Sequence, residues 1–141
     1  MLKTLDLSDY RLRVLLHKSG EVSMLEDLPS TFLQAKLVQR EEACDSPFTY
    51  FKISYRPHIP NSDKEQVFIS SDGYPQETSI GNIILEINGT YYTLIVEVGI
   101  LDGMHRKYFI QQGEVTARYL AKTDLENANH IFLCGNSVRG L

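Results

Sequence analysis

The chain has 141 residues, of which 43% are hydrophobic and 23% are charged, as in globular domains and unlike disordered or membrane proteins. This length suffices for a single domain over residues 1–141 whose core needs no metal or disulfide. The formal net charge of −4 disfavours general nucleic-acid binding, which ordinarily relies on a basic surface.

A first β-hairpin is predicted near the N-terminus. Residues 10–16 alternate between apolar and polar side chains, and residues 18–20 offer a three-residue loop that ends in a glycine. Glycine readily adopts the left-handed conformation that such a loop requires. The resulting register places Leu16 opposite Val22.

Residues 31–43 carry signals for both a helix and a strand. Ser30 is a suitable N-cap, and Leu33 and Leu37 lie four residues apart, as they would on one helix face. Leu33, Ala35 and Leu37 also alternate with polar residues, which is typical of a strand. We prefer the helix, and the strand stays open as the alternative.

Three more segments predict strands. Residues 48–56 alternate up to Pro57, which ends the strand because proline cannot donate to a ladder. Residues 66–70 and 130–134 are short apolar runs bounded by polar residues or glycine. The intervening stretch 71–79 is rich in turn residues and predicts a loop, the kind of segment that often carries functional residues.

The clearest local signal is a hairpin whose turn is Asn88-Gly89. Residues 82–87 and 90–98 are its two arms. The Asn-Gly pair suits a type I′ turn because both residues tolerate a positive φ angle. A two-residue loop here predicts a specific register for the arms.

That register pairs Leu85 with Tyr92 and Ile83 with Leu94. These four residues, with two valines further along, form one apolar face, and the opposite face is mixed in character. The apolar residues on the mixed face would be covered by another segment or by a partner. The mixed face carries Ile84, Tyr91 and Ile95.

A third hairpin is predicted to join residues 107–111 with residues 114–122. Its turn, Gln112-Gly113, is less favourable because glutamine avoids positive φ angles. Residues 124–129 are mostly polar and fit a short helical turn or a loop. The elements together predict an α+β, β-rich fold: an antiparallel bent sheet or sandwich of about seven or eight strands with one short helix.

The sequence contains no established catalytic or metal-binding motif. The glycine-rich phosphate loops and the GxSxG nucleophile elbow are missing, and the four histidines and two cysteines have no metal-site spacing. We therefore predict no cofactor and no metal, and Cys44 and Cys134 are interpreted as buried thiols. His105, with Lys107 beside it, is the candidate for acid–base chemistry on a phosphate in a small nuclease or hydrolase.

Tyrosines are the other functional hint, since eight of them accompany an acidic balance. Tyrosine suits interfaces because it combines a large contact area with a polar tip. We therefore predict a non-enzymatic domain that binds another protein, such as an immunity or inhibitor protein capping a basic partner. The candidate binding residues are Ile84, Tyr91, Ile95, Tyr50, Tyr74 and Tyr108.

A structural subunit of a phage or secretion assembly is a further hypothesis, and self-association fits it because strand-rich domains can associate through sheet edges. The first residues, Met1 to Asp6, lack the apolar core of a secretory signal, and no apolar run approaches the length of a membrane span. We therefore expect a cytoplasmic protein without a membrane or nucleic-acid partner.

Overall fold

The computed structural model describes residues 11–16, 18–27, 35–41, 49–52, 57, 59–60, 62, 64–135 and 138–140. Contacts between residues divide the chain into two compact units, residues 1–31 and 32–141. No helix in the described ranges is long and apolar enough to cross a membrane.

The first unit contains the predicted N-terminal hairpin. Strand β1 (Arg11–Leu16) pairs antiparallel with β2 (Val22–Asp27), and Leu16 lies opposite Val22 as predicted. Gly20, with a φ of 84°, supplies the left-handed residue of the loop. Local turn chemistry therefore sets the register of this hairpin.

A three-stranded sheet begins the second unit. It consists of β3 (Ala35–Gln39), β4 (Glu65–Ile69) and β5 (Pro75–Thr78), with β4 in the centre. Strand β3 runs parallel to β4, and β5 runs antiparallel to it. The strand β4 confirms the prediction for residues 66–70, whereas β5 lies where a loop was predicted.

The preferred helix at residues 31–43 is wrong for the described part of that segment, since residues 35–39 form β3. The strand's partner is 30 residues away in the chain, with Leu37 opposite Val67. Arg40 continues the pairing by donating its backbone N–H to the Ile69 carbonyl at 2.8 Å. This tertiary pairing outweighs the weak local helix signal.

Residues 49–51 form a turn that Lys52 follows, rather than part of the strand predicted over residues 48–56. The side chain of Phe51, one of the apolar residues in that predicted alternation, is 64% exposed. None of the described strands pairs with this segment, and a strand without a neighbour leaves its backbone groups unsatisfied. The rest of that predicted strand, like Cys44, lies outside the described residues.

The larger sheet of the second unit has five strands in the order β10-β9-β6-β7-β8. All neighbours are antiparallel except β7 and β8, which are parallel. The strands are β6 (Asn82–Ile87), β7 (Thr90–Leu94), β8 (Thr116–Arg118), β9 (His130–Cys134) and β10 (Val138–Gly140).

The Asn88-Gly89 hairpin is confirmed. Asn88 and Gly89 have φ angles of 51° and 77°, as a type I′ turn requires. Leu85 lies opposite Tyr92, in the predicted register. Strand β7 ends at Leu94, before the predicted end of this arm, because a 3-10 turn follows.

The predicted apolar face of this hairpin is buried between the two sheets of the second unit. Ile83, Leu85 and Leu94 share one core cluster with Val67 and Ile69 of β4, and partly buried Tyr92, Val96 and Val98 pack against it. Burying a large aliphatic side chain contributes about 1.5–3 kcal/mol. This shared core therefore couples the small sheet to the large one.

The hairpin predicted over residues 107–122 is wrong. Residues 104–111 form helix α1 (Met104–Gln111) instead, and Gly113, with a φ of 73°, follows the helix end. Strand β8 then pairs parallel with β7 rather than antiparallel with residues 107–111. A parallel pair needs a crossover connection, and α1 is part of that connection.

Helix α1 covers the mixed face of the hairpin. Phe109 of α1 and Phe132 of β9 pack against a cluster of Ile84, Val115 and Cys134, so this chain itself covers Ile84. A second helix, α2 (Lys122–Asn127), forms near the predicted polar turn. The predicted α+β, β-rich class is confirmed, with mixed rather than purely antiparallel sheets.

Candidate functional site

The second unit contains a cavity of about 500 Å³ beside the start of α1. This volume is within the range of about 300–1,000 Å³ that is usual for small-molecule sites. Lys52, Glu77 of β5 and the first residues of α1 all line it. A primary amine, a carboxylate and a helix N-terminus therefore meet in one cavity.

Glu77 and Asn82 fix the segment that leads into α1. The Glu77 side chain is 2% exposed, and its carboxylate accepts the Leu101 backbone N–H at 3.2 Å. Asn82 of β6 donates its side-chain N–H to the Leu101 carbonyl at 2.8 Å. Because both backbone groups of Leu101 are held by buried side chains, the start of α1 has a defined position.

Glycines form part of the cavity wall at Gly81, Gly103 and Gly135. A Cβ at Gly81 would lie 2.7 Å from the Cys134 carbonyl oxygen, and one at Gly103 would collide with the Asn82 side-chain oxygen. Neighbouring protein atoms therefore leave no room for a side chain at Gly81 and Gly103, and both positions require glycine.

Helix α1 presents its N-terminus to the cavity. Gly103 precedes the helix in an extended conformation, and no side chain caps the first turn. The first N–H groups of a helix lack intrahelical partners and favour anions, an effect that the helix dipole strengthens. This end of the cavity therefore suits a phosphate or carboxylate group.

The ionic contacts of α1 involve Asp102, Arg106 and Lys107. The Asp102 carboxylate forms ion pairs with Arg106 Nη1 and with Lys107 Nζ, each at an N–O distance of 2.9 Å. Arg106, only 5% exposed, also donates its Nε and Nη2 groups to the Leu94 carbonyl, at 3.1 and 2.5 Å. Burial lowers the pKa of Arg106, and Asp102 opposes that shift.

Cys134 lies at the cavity as a buried free thiol. Burial raises the pKa of Cys134, and the charge of Arg106 opposes this shift. The thiolate is the nucleophilic form of cysteine, so this environment favours an inert thiol.

His105, the predicted acid–base residue, lies on the cavity wall as the second residue of α1. Its Nδ1 donates to the Gly135 carbonyl at 2.5 Å. Lys107, its predicted companion, forms an ion pair with Asp102 instead. Both residues lie in helix α1, not at the start of the strand predicted over residues 107–111.

The predicted binding residues are distributed over different places. Ile84, which is 4% exposed, and Tyr91 line a second, apolar cavity of about 410 Å³. Tyr50 and Tyr74 line a third cavity of about 300 Å³. Tyr108 is exposed on α1, and Ile95 is half-buried beside the 3-10 turn.

Sequence reasoning missed Lys52 and Glu77. Lys52 follows a turn rather than lying in the predicted strand, and Glu77 lies in the stretch 71–79 that was predicted to be a loop. A usable signal was the polar cluster at the start of β6, where Glu77 and Ser79 precede the apolar strand and Asn82 is its first residue. Polar residues at the start of a buried strand are candidates for a site.

Comparison with known proteins gives a family match. The model of the family described as amino-transferase class IV matches residues 60–141. No curated protein matches the chain in sequence.

Solved structures share the fold. A provisionally assigned amino-acid aminotransferase from Mesorhizobium loti has a TM-score of 0.69 and 17% identity, covering 93% of this chain and 71% of that one. A provisionally assigned 4-amino-4-deoxychorismate lyase from Haemophilus somnus 129pt also has a TM-score of 0.69 and is 22% identical. This match covers 89% of this chain and 65% of that one.

The branched-chain amino acid aminotransferase from Escherichia coli has a TM-score of 0.51 and 22% identity. The match covers 55% of this chain and 29% of that one. The chain spans only 28–29% of the length of the branched-chain aminotransferases that it resembles.

The family match overturns the function predicted from sequence. A non-enzymatic immunity or inhibitor protein is wrong, because the matched family is one of enzymes and the match covers residues 60–141. The alternatives of a nuclease or hydrolase and of a structural subunit are wrong for the same reason. Net charge and tyrosine content carry little information about chemistry, which depends on the residues of a site.

Proposed function

This chain belongs to the class IV aminotransferase family, and from that premise we propose that it binds pyridoxal 5′-phosphate in the cavity beside α1 and serves an enzyme that acts on amino acids. The observation that carries the proposal is the meeting of Lys52, Glu77 and the N-terminus of α1 in one cavity. This proposal replaces the expectation of a protein without a cofactor.

The chemistry of these groups fits the cofactor. Lysine amines hold pyridoxal phosphate covalently, and an acidic residue commonly pairs with its pyridine nitrogen. Lys52 is the amine of the cavity and Glu77 is its buried carboxylate. The start of α1 would receive the phosphate, because uncapped helix N–H groups bind anions.

When bound, pyridoxal phosphate supplies an electron sink for a carbanion at the carbon that bears the amino group. Glu77 would hold the proton on the pyridine nitrogen through its negative charge. Its bond to Leu101 N–H, at 3.2 Å, orients the carboxylate and links it to the start of α1. Lys52, on the cavity wall, would move the proton at the reacting carbon.

The Lys52→Ala variant tests this proposal. We expect the wild-type chain, mixed with pyridoxal phosphate, to develop an absorption band that free cofactor lacks. Borohydride reduction should then fix the cofactor on Lys52, where peptide mass spectrometry would locate it. The variant should show neither the band nor the modified peptide, because the attaching amine is gone.

The matched control is Lys122→Ala, since Lys122 is an exposed lysine of α2 whose ion pair with Glu126 spans 3.9 Å. It should bind the cofactor as the wild type does. Cofactor trapped on lysines other than Lys52, at equal yield in both variants, would refute the proposal.

The reaction can be followed on the cofactor-loaded chain. Amino acids of different side-chain classes are added singly, and the absorption band is monitored. We expect the absorption band to disappear on addition of an amino acid whose amino group is transferred to the cofactor.

A further inference from the structure

His105 occupies a position in the cavity that the proposed function does not yet use. It is the second residue of α1 and lines the cavity together with Lys52 and Glu77. The N-terminus of a helix is where an anion is favoured by N–H groups and by the dipole. The imidazole therefore stands beside the proposed phosphate position.

The ring of His105 is oriented by its neighbours. A carbonyl oxygen can only accept, so the 2.5 Å contact with Gly135 O requires a proton on Nδ1. The ring also lies 6.3 Å, centroid to centroid, from Phe109. Because Nδ1 carries the proton that is donated to Gly135, Nε2 has a lone pair in the neutral ring and an N–H in the charged ring.

The other charged groups of the cavity already have partners or roles. Asp102 is paired with both Arg106 and Lys107, so its charge does not act alone against an anion. Glu77 holds Leu101, and Lys52 is the proposed attachment residue. The titratable and charged groups around His105 are Asp102, Arg106, Lys107, Lys52, Glu77 and Cys134.

Building on the proposed function, we propose that His105 is a phosphate-binding side chain and that its charged ring donates Nε2–H to the cofactor phosphate. Proton uptake by His105 then strengthens binding of the phosphorylated cofactor. A charge-assisted hydrogen bond is about twice as strong as a neutral one. Histidine is suited to this role because it ordinarily changes charge between about pH 5 and 8.

Protonation of the His105 ring determines how the affinity for the cofactor phosphate changes with pH. As the pH falls, the charged ring forms and the affinity for the phosphate rises. Below about pH 6 the phosphate itself takes up a proton, which ends the gain. The attachment of the aldehyde to Lys52 depends on pH in the opposite direction, because only the neutral amine, which a higher pH favours, can attach it.

Pyridoxal, which has the aldehyde but no phosphate, separates the two effects. The experiment measures the affinities of the wild type and of His105→Gln for pyridoxal phosphate and for pyridoxal, by absorbance titration at about pH 6.5 and about pH 8.5. We expect the ratio of the two affinities to be roughly tenfold higher at the lower pH in the wild type. In His105→Gln the ratio should be lower and independent of pH.

His130→Gln is the matched control, because His130 is exposed on β9 and its ring contacts Phe132 rather than the cavity. It should retain the wild-type ratio. A second measurement uses only the wild type, so that its result does not depend on whether the variant folds. Adding pyridoxal phosphate should shift the NMR titration of the His105 ring to higher pH.

The outcomes distinguish the two proposals. Attachment at Lys52 with a ratio that does not depend on pH, or that is unchanged in His105→Gln, would overturn the role of His105 alone. A chain that does not attach the cofactor at Lys52 would overturn the proposed function and this inference with it.

Discussion

Arg106 shows how a single residue holds the helical side of the cavity. Its guanidinium satisfies the carbonyl of Leu94 at the end of β7 through two N–H groups and also pairs with Asp102. The planar fork of arginine allows several such bonds at once. The position of α1 relative to β7 therefore depends on this side chain.

The Arg106→Met variant is expected to lower the free energy of unfolding by about 2 kcal/mol, because the Leu94 carbonyl loses its side-chain donors in a buried place. Urea denaturation measures this change. The matched control is Arg118→Met, since Arg118 is partly exposed and pairs with Asp124 at 3.1 Å. It should cost at most about 1 kcal/mol. Equal losses in the two variants would contradict the role of Arg106.

Residue types alone singled out His105 as a candidate but did not show its setting. An imidazole next to cations was recognisable in the sequence, whereas the reaction assigned to it was wrong. Lys52 and Glu77 were missed because they are 25 positions apart, and neither has a neighbour that marks it. A pair of groups converging from distant segments is visible only after folding.

At the scale of elements, α2 is a short helix that a single acid supports. Asp124 accepts the Ala121 backbone N–H at 2.7 Å and pairs with Arg118. The hydrogen bond from Arg118, followed by that from Ala121, lowers the pKa of Asp124. Both bonds favour the charged carboxylate in the folded state.

Asp124→Asn is therefore expected to lower the free energy of unfolding at neutral pH by roughly 0.5–1 kcal/mol. A depressed folded-state pKa contributes stability above the ordinary value of about 3.9, and this is lost as the pH falls through the folded pKa. The difference between wild type and variant should shrink below about pH 4. Urea denaturation at several pH values measures it.

Glu126→Gln on the same helix is the control, because its 3.9 Å pair with Lys122 is exposed at both ends. We expect it to change stability less than Asp124→Asn does at neutral pH. A constant difference between wild type and Asp124→Asn down to acid pH would show that the charge of Asp124 does not matter.

The elements that the sequence predicted well are those whose turns are local. Gly20 and the Asn88-Gly89 pair adopt the left-handed conformations that their hairpins require. The helix α1 was mistaken for a strand because Gly113 can end a helix or turn a hairpin equally well. The parallel pairing of β7 with β8 decided between these alternatives.

On the scale of the whole second unit, one core joins the two sheets. Leu85 of β6 is fully buried in a cluster that includes Val67 and Ile69 of β4. Close packing means that a smaller side chain leaves a cavity rather than being compensated by its neighbours.

Leu85→Ala should lower the free energy of unfolding by about 3 kcal/mol, within the range that is usual for such core truncations. Thermal or urea denaturation checks this. Leu37→Ala is the control because Leu37 is 50% exposed on β3. Its expected loss is below about 1 kcal/mol. Similar losses at the two positions would mean that the shared core does not stabilise this unit.

Several expectations about the whole molecule remain predictions. They are a single domain over residues 1–141, a cytoplasmic location, a protein partner and self-association. The six predicted binding residues also remain a prediction, and Ile84 and Tyr91 would act through the apolar cavity that they line.

The amino-acid sequence by itself determined the β-rich class, the two hairpins with left-handed turn residues, and the apolar face of Ile83, Leu85 and Leu94. These features follow from local sterics and from side-chain alternation, which act within a few residues. The tertiary structure alone decided that residues 35–39 form a strand, that residues 104–111 form a helix, and that Lys52, Glu77 and His105 share a cavity. The reason is that each of these outcomes depends on backbone pairing or burial by residues that are distant in the chain.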